Sequence, residues 1–497
     1  MKKYLLISAV TLGFLFNSCD DYLDINNEPN APDESDLTTD LIFPTAEMNL
    51  AASYGNYLRI VGGYYSQHFA HAFGTSNYLD YSKFEMSETR SSTLAYAQPN
   101  VRILNNLKVV LEKAENNEEW GTYLAAKVIR AFTYQMLVDC YGELPYTEAL
   151  DPNIPAPKYD DGKTIYEGIL AELDEALSKV NETDLVCTNF IFPNERASAW
   201  IQFANALKLK LLMRMSGVAD VQSKLDELIA DGNFPTEDIA IEGCWSDESG
   251  KMNPYYAEEF SSKWGSTQIN VIGNIALIGT MQTNTYTDPR LVAFYETNES
   301  GNFTGGVSGT NFPTTSTYKS SYWCRPKASY DMPVYLITIP EIEFFLSEYY
   351  AKKGDHTVAA EHYAAAITAS FDEFGVDGAA DNIKKNPYDK DNYKKSIGIA
   401  KWIALAGTNN FEAWCEMRRL DYPTFGSVTG EDIYNVVNDT YKPEIYVPGT
   451  LYTPIQYFGE LGANKILERF PYAESTKNRN SNAPTFPGYA EPVFWGK

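Results

Sequence analysis

The sequence predicts a mostly α fold: helical hairpins stacked into a solenoid-like scaffold, with a large irregular, loop-rich region inserted. Three observations carry that prediction. Paired helical stripes fill the first half of the chain up to Gly217, helical order returns at Glu341, and between them, over 243–333, apolar periodicity disappears. That middle stretch is rich in aromatic, Gly, Ser, Thr and Asn residues, with NESGNFTGGVSGTNFPTTSTY as its extreme. A loop region of such length is uncommon unless it serves a function or moves.

Taken in order, 41–72 carries a helical pattern broken by Gly55, Gly62 and Gly63 and crowded with Tyr54, Tyr57, Tyr64, Tyr65 and Phe69, which suggests close packing. A polar, aromatic loop, FGTSNYLDYSKFEMSETR, follows. A helix from about Leu94 to Ala114 is expected to pair with a strong one in which Leu124, Val128, Phe132, Met136 and Cys140 form the packing stripe, leaving Lys127, Arg130 and Tyr134 on the outward face. Gly142 supplies a left-handed helix end and Pro145 forbids a restart. Thr164 and Glu167 read as a capping box opening a helix to about Val180. Its partner follows Pro193, with Trp200, Phe203, Leu207 and Leu211 as the stripe, Lys208 and Arg214 outside it, and Gly217 at its end. From Glu341, EIEFFLSEYYAKKGDHTVAAEHYAAAITASF matches a tetratricopeptide repeat, with Gly354 and Asp355 at the turn and Ala359, Tyr363 and Ala366 at the close-packing positions. One such repeat cannot bury its own face, so the earlier hairpins must stack with it.

Several of these stretches resemble one family. Ala126, Lys127, Arg130, Ala131 and Phe132, followed by Tyr141, Gly142, Glu143, Pro145, Tyr146, Glu148, Ala149 and Leu150, are similar to the hallmark of the SusD/RagB outer-membrane nutrient-binding lipoproteins. The Trp200, Phe203, Ala204, Asn205, Leu207, Lys208 pattern, the Asp288–Leu291 element, Lys401–Ala404 with FEAWCEMRRLDYP, and Arg469 to Asn478 resemble further segments of that family. Ala400 and Ala473 depart from its usual glutamine and proline, which bears on local turns. The resemblance implies four tetratricopeptide-like helix pairs, a non-enzymatic binding role, and delivery of a nutrient to a SusC-like TonB-dependent transporter.

At the N-terminus, Lys2 and Lys3, an apolar run from Tyr4 to Phe16, and Ser18 before Cys19 read as an export signal too short to remain as a membrane span. Cys19 at the cleavage point looks like a lipobox cysteine, despite Phe16 and Asn17. Residues 1–18 are therefore expected as a lipoprotein signal peptide. The acidic stretch 19–40, with Asp20, Asp21 and Asp24, is expected as a flexible tether, and in the resembled family such a cluster directs display on the outer leaflet of the outer membrane. The rest, 41–497, is expected as a single domain: helical scaffold mainly over 41–217 and 334–425, ligand-binding loops at about 243–333, and an irregular C-terminal segment over 426–497.

Charge narrows the partner. The chain carries 40 basic and 66 acidic residues, a formal charge of −26; without Lys2 and Lys3 it is −28. Nucleic acid is thereby disfavoured, and a sulfated glycan would require a local basic patch. Catalytic and cofactor patterns are not found: no P-loop, no G-x-S-x-G, no H-E-x-x-H and no dinucleotide fingerprint. His68 and His71 lack an evident third metal ligand and read as packed side chains, and Asp160–Asp161 and Asp389 with Asp391 read as solvated turns rather than calcium loops. The five cysteines beyond Cys19 imply no disulfide framework. No catalytic residue, metal or cofactor is expected.

Aromatic residues make up 14% of the chain, and many of its 36 tyrosines lie in polar loops where they cannot all be core. Flat rings stack on sugar faces or peptide side chains. The expected ligand site combines Asn77, Tyr78 and Tyr81 from one loop with Trp264, Trp323, Arg325 and Tyr330 from the other, the two tryptophans serving as platforms. The alternative for either tryptophan is to anchor its own loop. The expected ligand is an oligosaccharide or a peptide; a surface glycan hydrolase and a helical-repeat adhesin or scaffold are the rival functions.

Overall fold

Helices pair in chain order: Asn105–Asn116 with Trp120–Tyr141, Gly162–Lys179 with Ala197–Met215, Ile339–Lys352 with His356–Asp372, and Tyr393–Ala404 with Asn410–Leu420. In this computed structural model, which describes residues 37–72, 74–193, 196–262, 269–310, 313 and 315–496, the pairs stack in series. Trp120–Tyr141 packs on both helices of the second pair, Ala197–Met215 on Ile339–Lys352, and Ile339–Lys352 on Tyr393–Ala404. The tetratricopeptide-like, mostly helical architecture expected from the sequence is thus present. Cys19, the signal and most of the tether lie outside the described residues. No helix among the described residues is long and apolar enough to cross a membrane.

Local chemistry sets the helix ends. Gly142 closes Trp120–Tyr141 at φ +85, and a Cβ there would come within 3.1 Å of the Arg469 guanidinium, so the position requires glycine twice over. The second pair begins earlier than the expected capping box: Asp161 is the cap, its carboxylate accepting from the Thr164 amide at 2.9 Å, and the helix starts at Gly162. A carboxylate one turn upstream outcompetes the Thr164 hydroxyl, which itself donates to Asp161.

The outward face assigned to Lys127, Arg130 and Tyr134 is corrected by the stacking. Tyr134 is buried, and Lys127 and Arg130 meet Glu172 of the next helix at 3.2 and 2.6 Å. A helix inside a stack has neighbours on two sides, so positions off one stripe face another helix. Arg214 is also buried. It donates to Asp139 and Glu412 and lies 3.5 Å from Glu416, while Lys210 reaches Glu341 and Glu412, Lys401 reaches Glu416, and Arg419 bridges Glu348 and Glu416. Burial would lift the carboxyl of Glu348, but Arg419 and Lys352 overcome it and hold it at about 2; Arg419, Lys401 and Arg214 likewise hold Glu416 well below its usual range.

The 426–497 segment returns to this network. The Trp495 indole N–H donates to Asp139 at 2.7 Å, Arg418 donates to the Glu468 carbonyl, and the Trp414 indole donates to that of Leu467.

The region between Met215 and Ile339 is closed at its neck by strand Ile239–Ile241 against Val334–Ile337. Beyond the neck it builds a second apolar core, including Ile272, Leu277, Phe294 and Trp323, shared with Trp402 and Tyr434. His68 and His71 are buried here, and burial lowers their pKa values to about 3 and about 4, so both are neutral imidazoles at pH 7. The five described cysteines are free thiols.

Candidate functional site

Two loops far apart in sequence are joined by one short strand pair. Phe69–His71 runs antiparallel to Val271–Gly273, with His71 opposite Val271, and this sets the 74–90 loop beside the end of helix Pro254–Glu259. Asn253 caps that helix, accepting from the amides of Tyr255 and Tyr256, and Pro254 occupies its first position. At its last residue, Glu259 is buried. Its carboxylate accepts from the Tyr78 hydroxyl at 2.7 Å and from the Asn270 amide at 3.2 Å. Burial raises the Glu259 pKa; the hydrogen bonds from Tyr78 and Asn270 oppose the rise.

Asn270 extends the chain of contacts. Its side-chain oxygen accepts from the Thr75 hydroxyl at 2.9 Å and from the Asn77 amide at 3.4 Å, and the Thr75 oxygen in turn accepts from the Asn77 backbone N–H. Tyr78 sits at φ +62, stacked on Tyr81 with ring centroids 5.6 Å apart and planes at 12°. From the other side comes Arg325, in strand Arg325–Pro326 paired with Tyr295–Glu296. Its guanidinium lies 4.7 Å from the centre of the Phe260 ring and donates to the Glu259 carbonyl at 3.5 Å. Arg325 and Trp323 also line an open cleft of about 490 Å³, together with Glu296, Asn298 and Lys319. That volume lies in the range of small-ligand sites.

The expected site residues therefore divide. Asn77, Tyr78 and Arg325 converge on the Glu259–Asn270 pair. Tyr81 is buried, its ring under the Arg90 guanidinium and its hydroxyl donating to Tyr57, so it supports Tyr78 from below. Trp323 is only 2% exposed and packs among Tyr318, Tyr322 and Tyr441, at 5.8, 4.9 and 5.2 Å; its ring anchors the loop at the edge of the cleft and presents no open face. Tyr330 is exposed but lies outside the cleft lining, its carbonyl accepting from the Asn253 backbone N–H at 2.7 Å. Trp264 lies outside the described residues. Sequence reading missed Glu259, Phe260 and Asn270. The Asn253–Pro254 helix start was a usable signal for the first two; Asn270 had none, because its role depends on the strand pairing. The exposed Asn77 amide and the Arg325 guanidinium are donors and the exposed Glu296 carboxylate in the cleft lining is an acceptor, a set suited to a ligand rich in hydroxyl groups.

Comparison with known proteins decides the family. The model of the SusD-like family described as "Starch-binding associating with outer membrane" matches residues 27–444. The chain belongs to this family. SusD-like proteins are binding proteins, and membership supports carbohydrate binding in association with the outer membrane. Solved structures share the fold. A SusD homolog from Bacteroides uniformis has a TM-score of 0.73 at 20% identity, over 92% of this chain and 100% of that one. A SusD-like protein from Bacteroides thetaiotaomicron has a TM-score of 0.69 at 19% identity, over 92% and 98%. A chitin-binding protein has a TM-score of 0.68 at 18% identity, over 92% and 100%. The chain matches no curated protein.

Proposed function

We propose that this SusD-like chain is a cell-surface lipoprotein, anchored through Cys19, that binds an oligosaccharide beside Arg325, Asn77 and Tyr78 and delivers it to a SusC-like TonB-dependent transporter. The observation that carries the reading is the convergence of side chains from two distant loops around Glu259 and Asn270, next to a cleft bordered by Trp323 and Arg325. The family's starch-binding description and the likeness to a chitin-binding protein support a glycan over a peptide. The guanidinium of Arg325 and the amide of Asn77 give donors to sugar hydroxyls, the Tyr78 ring offers stacking surface, and Trp264 is proposed as a second stacking residue.

The test is a glycan array followed by titration of the full chain with maltoheptaose and chitohexaose. Binding without release of shorter products is expected, with Arg325→Ala weakening it by about 1–2 kcal/mol. Product release would establish a hydrolase instead. Anchoring and delivery are checked in native membranes: wild type should co-purify with a TonB-dependent barrel, and Cys19→Ala should leave the membrane fraction.

A further inference from the structure

The turn Ser320–Tyr322 also borders a second cleft, of about 580 Å³, lined by Tyr322, Tyr441, Phe303, Gln282, Asn284 and Glu444 among others. The turn contributes to both clefts: Ser320, Ser321 and the adjoining Trp323 border the first, and Tyr322 borders the second. Tyr322 is 38% exposed, unlike the buried Trp323 beside it. It is nonetheless fixed. Its ring stands close to perpendicular to Trp323, Tyr318 and Tyr441, at 82°, 70° and 89° with centroids 4.9, 4.8 and 6.3 Å away. Its carbonyl accepts from the Asn298 amide at 2.8 Å, and the Ser321 carbonyl accepts from the Glu299 backbone N–H. Tyr441 is tied down as well, its hydroxyl donating to the Gly305 carbonyl at 2.6 Å. An exposed ring held in place loses little freedom when a ligand stacks on it.

Around this ring the polar side chains are neutral or acidic. Gln282 and Asn284, on the hairpin of strands Gln282–Thr283 and Tyr286–Thr287, are exposed and offer both donors and acceptors, and the exposed Glu444 carboxylate offers acceptors only. Among the described residues, no lysine or arginine lines the cleft. Together, a flat ring, two amides and a carboxylate suit the apolar face and hydroxyl edge of a neutral sugar, while the carboxylate disfavours an acidic one.

We propose that this second cleft is a further subsite for a neutral oligosaccharide, in which Tyr322 stacks on one sugar ring and Gln282, Asn284 and Glu444 hold hydroxyl groups. It rests on the glycan reading above and adds a length requirement: a disaccharide fills one cleft, whereas a longer chain crosses the turn and engages both.

Calorimetric titration of the full chain with maltose and maltoheptaose, and with chitobiose and chitohexaose, tests this. Tyr322→Ala should weaken binding of the longer member of the bound pair about tenfold while changing the disaccharide less than twofold. Tyr322→Phe should behave as wild type, and Asn284→Ala, at an exposed hairpin position, should weaken only the longer ligand, about threefold. Equal losses at both lengths, or no loss in Tyr322→Ala and Asn284→Ala, would overturn the subsite while leaving the first cleft intact. A wild-type chain that binds none of the four sugars would overturn the glycan reading itself, and this subsite with it.

Discussion

In the helical scaffold, Arg214 sits among Asp139, Glu412 and Glu416, none of whose side chains is more than 3% exposed; in the loop region, the corresponding interior around Trp323 is filled by Tyr318, Tyr322 and Tyr441. The two interiors impose different constraints. A buried ion network tolerates few geometries, because any displaced partner leaves a charge without compensation. A cluster of rings is held by area and edge-to-face contacts, which many arrangements satisfy. The scaffold thus fixes the stacking of the helix pairs, and the loops, resting on an aromatic base, are free to differ in the side chains they turn toward a ligand.

Removing one charge from the scaffold should have the largest effect. Arg214→Met leaves Asp139 and Glu412 buried without their guanidinium partner, and chemical denaturation should show a loss of about 4 kcal/mol. If glycan affinity of the folded protein falls as well, the two regions are energetically coupled and the contrast between them fails.

Trp323→Ala comes next. Because the ring is buried, its loss should cost about 3 kcal/mol of stability, seen as a lower melting temperature. Affinity should fall only as far as the cleft edge is disturbed. An unchanged melting temperature with much weaker binding would make Trp323 a platform, as the sequence alone suggested.

An effect that depends on pH is expected at Glu47, in helix Thr39–Leu50, where burial lifts the carboxyl from 4.5 to about 8 despite hydrogen bonds from the amides of Phe190 and Ile191. Its folded pKa is raised, so the unfolded chain loses this proton first as pH increases. Its contribution is complete below about pH 4.5 and is lost progressively toward pH 8. Glu47→Gln keeps an acceptor for the Phe190 amide and should stabilise the protein at pH 8 relative to wild type, with no gain at pH 4.5. Thermal melts across that range would check it.

The same contrast explains what was legible in the sequence. Helix pairs announce themselves through periodicity, and Gly142, Pro145 and Gly354 mark turns whose physics is local. Lys127, Arg130 and Arg214 were misplaced because a single stripe defines one packed face, whereas a stacked helix has two. In the loops, Asn77, Tyr78 and Arg325 were visible as polar or aromatic residues outside any stripe. What joins them was not: Thr75 meets Asn270 only because Phe69–His71 pairs with Val271–Gly273, a contact spanning 195 residues. For Trp323 the sequence left platform and loop anchor both open, since the rings that bury it come partly from its own neighbourhood and partly from Tyr441, more than a hundred residues later.

The indole of Trp495 closes on Asp139 from 356 residues away. Asp139 belongs to the first helix pair, yet one of its carboxylate partners arrives with almost the last turn of the chain. Tyr166, Gln135 and Arg214 already serve both oxygens of that acid, so the indole adds a long-range tie between the first helix pair and the 426–497 segment. The stretch near residue 495 acts as a clasp, its indole meeting Asp139, Arg214 and Arg418 from the first, second and fourth helix pairs.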